Sequence, residues 1–249
     1  MSAPRDLASM TTPALDNGFA ARLALRLPFF YGWVIIAIGF LSSFMTGAVS
    51  FWGLPVFVKP MSEATGWSHA AILGGLSLRF MFGAIGGLTL GHFADRRKGP
   101  SMLLLGSVLL DASALISLRW VHSSAEFLIV YGLVGGLAST GSRIVPATLV
   151  AKWYITRRGR AVGFSTNGGG VSALIMVPVV ALLINVFGWR DAWTALAIIE
   201  LALLLPMVPL AIRQPEDVGL LPDDGYVPEA RARPSRIATG RDWSLREVV

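Results

Sequence analysis

Between residues 31 and 212 the apolar positions of this chain collect into six long runs, separated by short polar gaps. The runs lie near 31–55, 70–91, 101–118, 127–151, 161–187 and 192–212. A helix needs roughly 20 apolar residues to cross the hydrocarbon of a bilayer. Lipid offers no partner to a free N–H or C=O, so each run is expected to be helical. The pattern predicts an all-α membrane protein with six transmembrane helices. Residues 1–28 read as a polar lead, 29–212 as the bundle and 213–249 as a tail. Pro215, Pro222, Pro228 and Pro234 punctuate that tail, which is expected to be extended or disordered.

Composition strengthens this reading. The chain is 54% hydrophobic and 14% charged, against about 25% charged in a soluble domain. It has no cysteine, which excludes disulfides and thiolate metal sites. The net charge is +6, but the bases occupy the gaps between runs. That placement suits membrane orientation and argues against nucleic acid as a partner.

Counting bases by gap orients the chain. The lead has Arg5, Arg22 and Arg26; the second gap has Arg96, Arg97 and Lys98; the fourth has Lys152, Arg157, Arg158 and Arg160. The tail adds Arg213, Arg231, Arg233, Arg236, Arg241 and Arg246. Only Lys59, Arg119 and Arg190 fall on the other side. The positive-inside rule then puts both termini in the cytoplasm of a multi-pass protein of the cell's inner or plasma membrane. Trp67, Trp120 and Trp189 fall at the outer edge, Trp33 and Trp153 at the inner edge, as headgroup-seeking indoles do. Ser68 and Asp191 stand where caps of spans two and six are expected.

Small residues recur at helical spacing. Span two has Gly83, Gly87 and Gly91; span four has Gly132, Gly136 and Thr140; span five has Ala161, Ser165, Gly169 and Ala173. Such ladders let helices approach closely, either as fixed packing or as a sliding surface. The run "NGGGVS" at 167–172 has no preceding strand and no lysine in phosphate-loop register, so it reads as a bendable part of span five.

Four ionisable residues lie within spans: Arg79, Asp111, Arg143 and Glu200. Each needs a partner, water or a proton there. Arg79 and Asp111 fall at similar depth, so the two read either as a structural ion pair or as a site for proton coupling or substrate. Arg143 reads either as a two-pronged holder of a carboxylate or as a side chain reaching the membrane edge. Glu200 reads as protonated or paired. Ser42, Ser43, Thr46 and Ser50 offer a polar lining from span one.

The gap "GHFADRRKGP" at 91–100 holds Gly91, then Asp95 and Arg96. This resembles the loop between spans two and three of the major facilitator superfamily. Here Gly99 comes one residue late and Pro100 stands where that pattern has a base. The stretch from Pro146 through Trp153, "RRGRAVG", Pro178 and "GWR" is similar to spans four and five of its monocarboxylate-porter and oxalate–formate-antiporter branch. Some carboxylate carriers of that branch carry a lysine in span one, and this chain has none. The resemblance implies the N-terminal six-helix half of a twelve-span carrier. It assigns Gly91, Asp95 and Arg96 to an inward-side gate, with Asp95 latching onto the other half.

The expected function is secondary transport of a small organic anion, a monocarboxylate or dicarboxylate, by alternating access. Arg143 and Arg79 are the candidate substrate ligands; Asp111 and Glu200 are the candidates for proton or charge coupling. The expected partners are the bilayer, the anion, a proton or counter-substrate, and a C-terminal half or second copy of the chain. A non-transporting membrane protein, such as a sensor, an assembly partner or an inert fragment, is the alternative. No cofactor or metal is expected, because His69, His92 and His122 have no ligand spacing. Enzymatic activity is not expected, since no G-x-S-x-G elbow occurs either.

Overall fold

The computed structural model describes residues 19–225 apart from Arg97. Most of the expected lead, the tail beyond Gly225, and Arg97 of the basic gap lie outside the described residues. A short helix α1 (Phe19–Arg26) precedes the bundle. Then come α2 (Gly32–Thr65), α3 (His69–Asp95), α4 (Gly99–Trp120) and α5 (Ser124–Trp153). No strand occurs among the described residues.

A last helical run, Arg158–Leu210, has 53 residues, about 80 Å of helix and far more than one crossing requires. It is two helices joined at Gly188, whose φ of 79° and ψ of 162° suit glycine alone. We call them α6 (158–187) and α7 (189–210). The chain reverses here. Trp189 meets Trp67 with ring centroids 6.3 Å apart, and Arg190 donates to the carbonyls of Arg119 and Val121 at 3.2 and 3.1 Å. At the opposite end Trp153 Nε1 donates to the carbonyl of Ile212 at 3.0 Å. Helices α2 to α7 are thus the six spans that the hydropathy pattern predicts.

The outer surface is apolar. Leu88 is 88% exposed and Leu174 79%; such a surface belongs in lipid. Inside, glycines bring backbones together. A Cβ on Gly136 would stand 2.7 Å from the Arg79 carbonyl oxygen, and one on Gly132 would stand 2.8 Å from Leu78 Cβ. The glycines of α3 and α5 therefore serve packing within this bundle, while a Cβ on Gly91 would meet nothing within 4 Å. Between α2 and α6, a Cβ on Gly168 would collide with the carbonyl oxygen of Phe40. The glycine run continues the helix with a single turn residue at Asn167.

Three local expectations change. Ser68 does cap α3, accepting from the Ala71 N–H at 3.1 Å. Asp191 caps nothing: α7 begins just after Gly188, so Asp191 lies within the helix and pairs with Arg119 at 3.3 Å. Trp153 is buried rather than at the membrane edge, because the chain after α7 returns across it and Phe30 and Tyr31 flank its ring. The first part of the tail is folded as well. Arg213 pairs with Asp217 at 2.9 Å and donates to the Asp95 carbonyl at 3.0 Å. Two 3-10 turns follow, Pro215–Val218 and Pro222–Gly225.

Asp223 anchors this segment by accepting the backbone N–H groups of Ile155 and Thr156. Burial pushes its carboxyl up, but the N–H donors of Thr156 and Ile155 outweigh that and hold it below its ordinary value. A depressed carboxyl stabilises fully above its unfolded value of 3.8, and the contribution is lost as pH falls through the folded value. Trypsin at neutral pH is therefore expected to cut after Arg213 faster in Asp223→Ala, the lost charge-assisted bonds being worth about 1–3 kcal/mol. Gly168→Ala is expected to lose roughly 1–3 kcal/mol in thermal unfolding in detergent. Gly163→Ala, where a Cβ meets nothing, is expected to lose none.

Candidate functional site

Two groups of polar side chains lie within the bundle, and one residue joins them. The first is a cavity of about 350 Å³ between α2, α3, α5 and α6. Ser43, Thr46 and Ser50 line it from α2, Phe80 from α3, Ser142, Arg143 and Pro146 from α5, and Ser165 and Gly169 from α6. Arg143 is the only ionisable residue in that lining. Its guanidinium lies 5.6 Å from the ring centroid of Phe80 and beside Gly83, where a Cβ would stand 3.2 Å from Nη1. The side chain is exposed and has no carboxylate partner among the described residues. Ser42 is buried away from the cavity.

The second group is closed to solvent. Arg79 of α3 and Asp111 of α4 form an ion pair, with Nη2 donating to both carboxylate oxygens at 2.8 and 2.6 Å. Arg79 Nε donates to Ser50 Oγ at 2.9 Å. The Tyr131 ring lies 5.0 Å from the guanidinium and its hydroxyl donates to the Val49 carbonyl at 3.0 Å. Gly135 makes room, since a Cβ there would collide with Arg79 Nη1. Glu200 of α7 is buried within electrostatic reach of Asp111 and Arg79, and its Oε2 has no hydrogen-bond partner among the described residues.

Arg79, Asp111 and Glu200 are thus brought together, and Arg143 is held apart in the cavity. Ser50 belongs to both groups, lining the cavity and accepting from Arg79. The residue pattern marks Ser50 only as polar lining. Tyr131 and Gly135 carried no signal in the residue pattern, because neither a carbonyl acceptor nor a space for a guanidinium is visible before the helices are packed.

The loop residues Gly91, Asp95 and Arg96 lie at the far end of α3. Asp95 pairs with Lys152 of α5 at 2.7 Å, so its partner here is within the same bundle. Arg96 lies over the Phe93 ring at 4.3 Å.

The Major Facilitator Superfamily model matches residues 38–239. The chain belongs to this superfamily. An uncharacterized MFS-type transporter of Bacillus subtilis (strain 168), YcxA, is 27% identical over 160 residues, covering 64% of this chain and 39% of that protein. Human monocarboxylate transporter 11 is 36% identical over 112 residues, covering 41% of this chain and 24% of its own length. The inward open xylose transporter XylE from E. coli matches with a TM-score of 0.53 at 19% identity, covering 71% of this chain and 46% of that one. That likeness shows the fold. The six helices correspond to one half of a major-facilitator bundle, and the chain spans less than half the length of the curated relatives it matches.

Removing one member of the buried pair strands a charge in a closed site, which costs about 3–5 kcal/mol. Asp111→Ala is expected to show that loss in thermal unfolding, and Arg79→Met with Asp111→Leu together to recover most of it. Equal stability of Asp111→Ala and the wild type would mean that the pair is not closed to water.

Proposed function

We propose that this chain is the N-terminal half of a secondary carrier for small organic anions, a monocarboxylate or dicarboxylate, working by alternating access. The observation that carries the reading is Arg143, a guanidinium without an acid, set in an otherwise uncharged cavity. A guanidinium presents two parallel N–H donors that match a carboxylate. The serines and threonine of α2 supply further donors, and the apolar walls accept a short carbon chain. The similarity to a monocarboxylate transporter supports the same substrate class.

Coupling is assigned to the buried cluster. Two carboxyls and one guanidinium share a site closed to water, and one proton makes the trio neutral. Glu200, whose Oε2 lacks a partner, is the position for that proton, with Asp111 held by Arg79. Ser50 connects Arg79 to the cavity wall, so a substrate carboxylate at Arg143 and a proton at Glu200 are linked through one hydroxyl. Arg79 contributes to substrate binding through Ser50 rather than by contact. Both termini are taken as cytoplasmic, with Gly91, Asp95 and Arg96 as the inward-side gate facing a second half or a second copy of the chain.

The test uses the complete carrier in liposomes. Arg143→Gln is expected to abolish carboxylate uptake, by about 100-fold or more for a lost charge-assisted pair. Arg143→Lys keeps the charge and is expected to retain part of the activity. Unchanged uptake in Arg143→Gln would remove this residue from the binding site. Glu200→Gln is expected to leave substrate exchange intact while uptake no longer follows a pH gradient. A complete assembly that neither binds nor moves any carboxylate would favour the non-transporting alternative.

A further inference from the structure

The Arg143 cavity has one side that its charge does not explain. Phe51 and Trp52 of α2 and Phe80 of α3 all line it, so three aromatic rings share the space with one guanidinium. The Phe51 ring stands 5.3 Å from the Trp52 ring and 6.1 Å from the Phe80 ring. The Phe80 ring in turn lies 5.6 Å from the Arg143 guanidinium. Rings and cation form one continuous wall, from Trp52 through Phe51 and Phe80 to Arg143.

The local backbone puts the rings there. Residues 47–51 of α2 form a wider π turn, and the Trp52 N–H donates to the Gly47 carbonyl at 2.9 Å. Such bulges are frequent at functional sites. In a regular helix successive residues fan out over different faces. Here Ser50, Phe51 and Trp52 all border one cavity. Trp52 is fixed from across the gap, its Nε1 donating to the Gly169 carbonyl of α6 at 2.9 Å. With that N–H committed, the indole offers the cavity only its apolar ring. Phe51 is still 56% exposed, so its ring has surface left for a ligand to cover.

A short aliphatic acid would cover little of this wall. A cavity of about 150 Å³ takes up benzene, so about 350 Å³ has room for a ring and a carboxylate together. Aromatic pairs favour tilted or offset geometry with centroids about 4.5–7 Å apart. A ring bonded to a carboxylate on Arg143 falls beside Phe80 and Phe51. One guanidinium matches one carboxylate, and a second carboxylate would meet only rings and hydroxyls on this half. We propose, resting on the transport reading of this cavity, that its substrate is an aromatic monocarboxylate, with its carboxylate on Arg143, its ring against Phe80 and Phe51, and Trp52 as the end wall.

The complete carrier in detergent micelles is titrated by calorimetry with benzoate, cyclohexanecarboxylate, butyrate and phthalate. Benzoate is expected to bind about tenfold more tightly than butyrate, and several-fold more tightly than cyclohexanecarboxylate, which has a six-membered ring without the π face. Phthalate, with its second carboxylate, is expected to bind more weakly than benzoate. Phe51→Leu and Phe80→Leu keep an apolar wall and are each expected to bring benzoate and cyclohexanecarboxylate level. A ring that merely packs would not move that ratio. Phe51 is exposed, so its variant reads the ratio even where Phe80→Leu disturbs the fold. Benzoate and cyclohexanecarboxylate level in the wild type, an unchanged ratio in both variants, or phthalate bound more tightly than benzoate overturns the aromatic monocarboxylate and leaves the organic-anion proposal standing. Binding of none of the four overturns both.

Discussion

The Arg79 guanidinium lies where neither water nor a lipid headgroup reaches it, and the arrangement of its neighbours follows from that. A charge at such depth must find its partners within the protein. Asp111 supplies two oxygens from α4, Ser50 one from α2, and Tyr131 a ring face from α5. Four helices are held in register by one side chain. Gly135 and Gly136 let α5 come close enough for this to happen, since a Cβ at either would meet Arg79 itself.

The same constraint separates the two intramembrane arginines. Arg79 has its acid and is withdrawn from solvent; Arg143 has none and is exposed in a cavity. A cation without an acid is tolerated because that cavity is open, and its unmatched charge is what the proposed anion would meet. Ser50 stands between the two environments, so the closed site and the open one are a single hydroxyl apart.

Much of this was legible in the residues. Six apolar runs are visible because lipid demands long uninterrupted helices, and Gly91 with Asp95 and Arg96 pointed to the superfamily to which the chain belongs. The similar depth of Arg79 and Asp111 followed from helical rise alone. What could not be read depends on which helix faces which. Lys152 as the partner of Asp95, Tyr131 and Gly135 around Arg79, and the burial of Trp153 are outcomes of packing between distant segments. The folded start of the tail was hidden by its proline-rich composition. Its order comes from contacts to other parts of the chain, at Asp95 and at the turn after α5.

The reversal at Gly188 joins α6 to α7 through a single residue, with no slack between them. Ser165 and Gly169 on the first arm form part of the cavity wall, and Glu200 on the second belongs to the buried cluster. A loop of ordinary length would let each arm tilt alone. A one-residue elbow leaves the two arms a common anchor at that end, so the cavity wall and the buried carboxyl hang from the same joint.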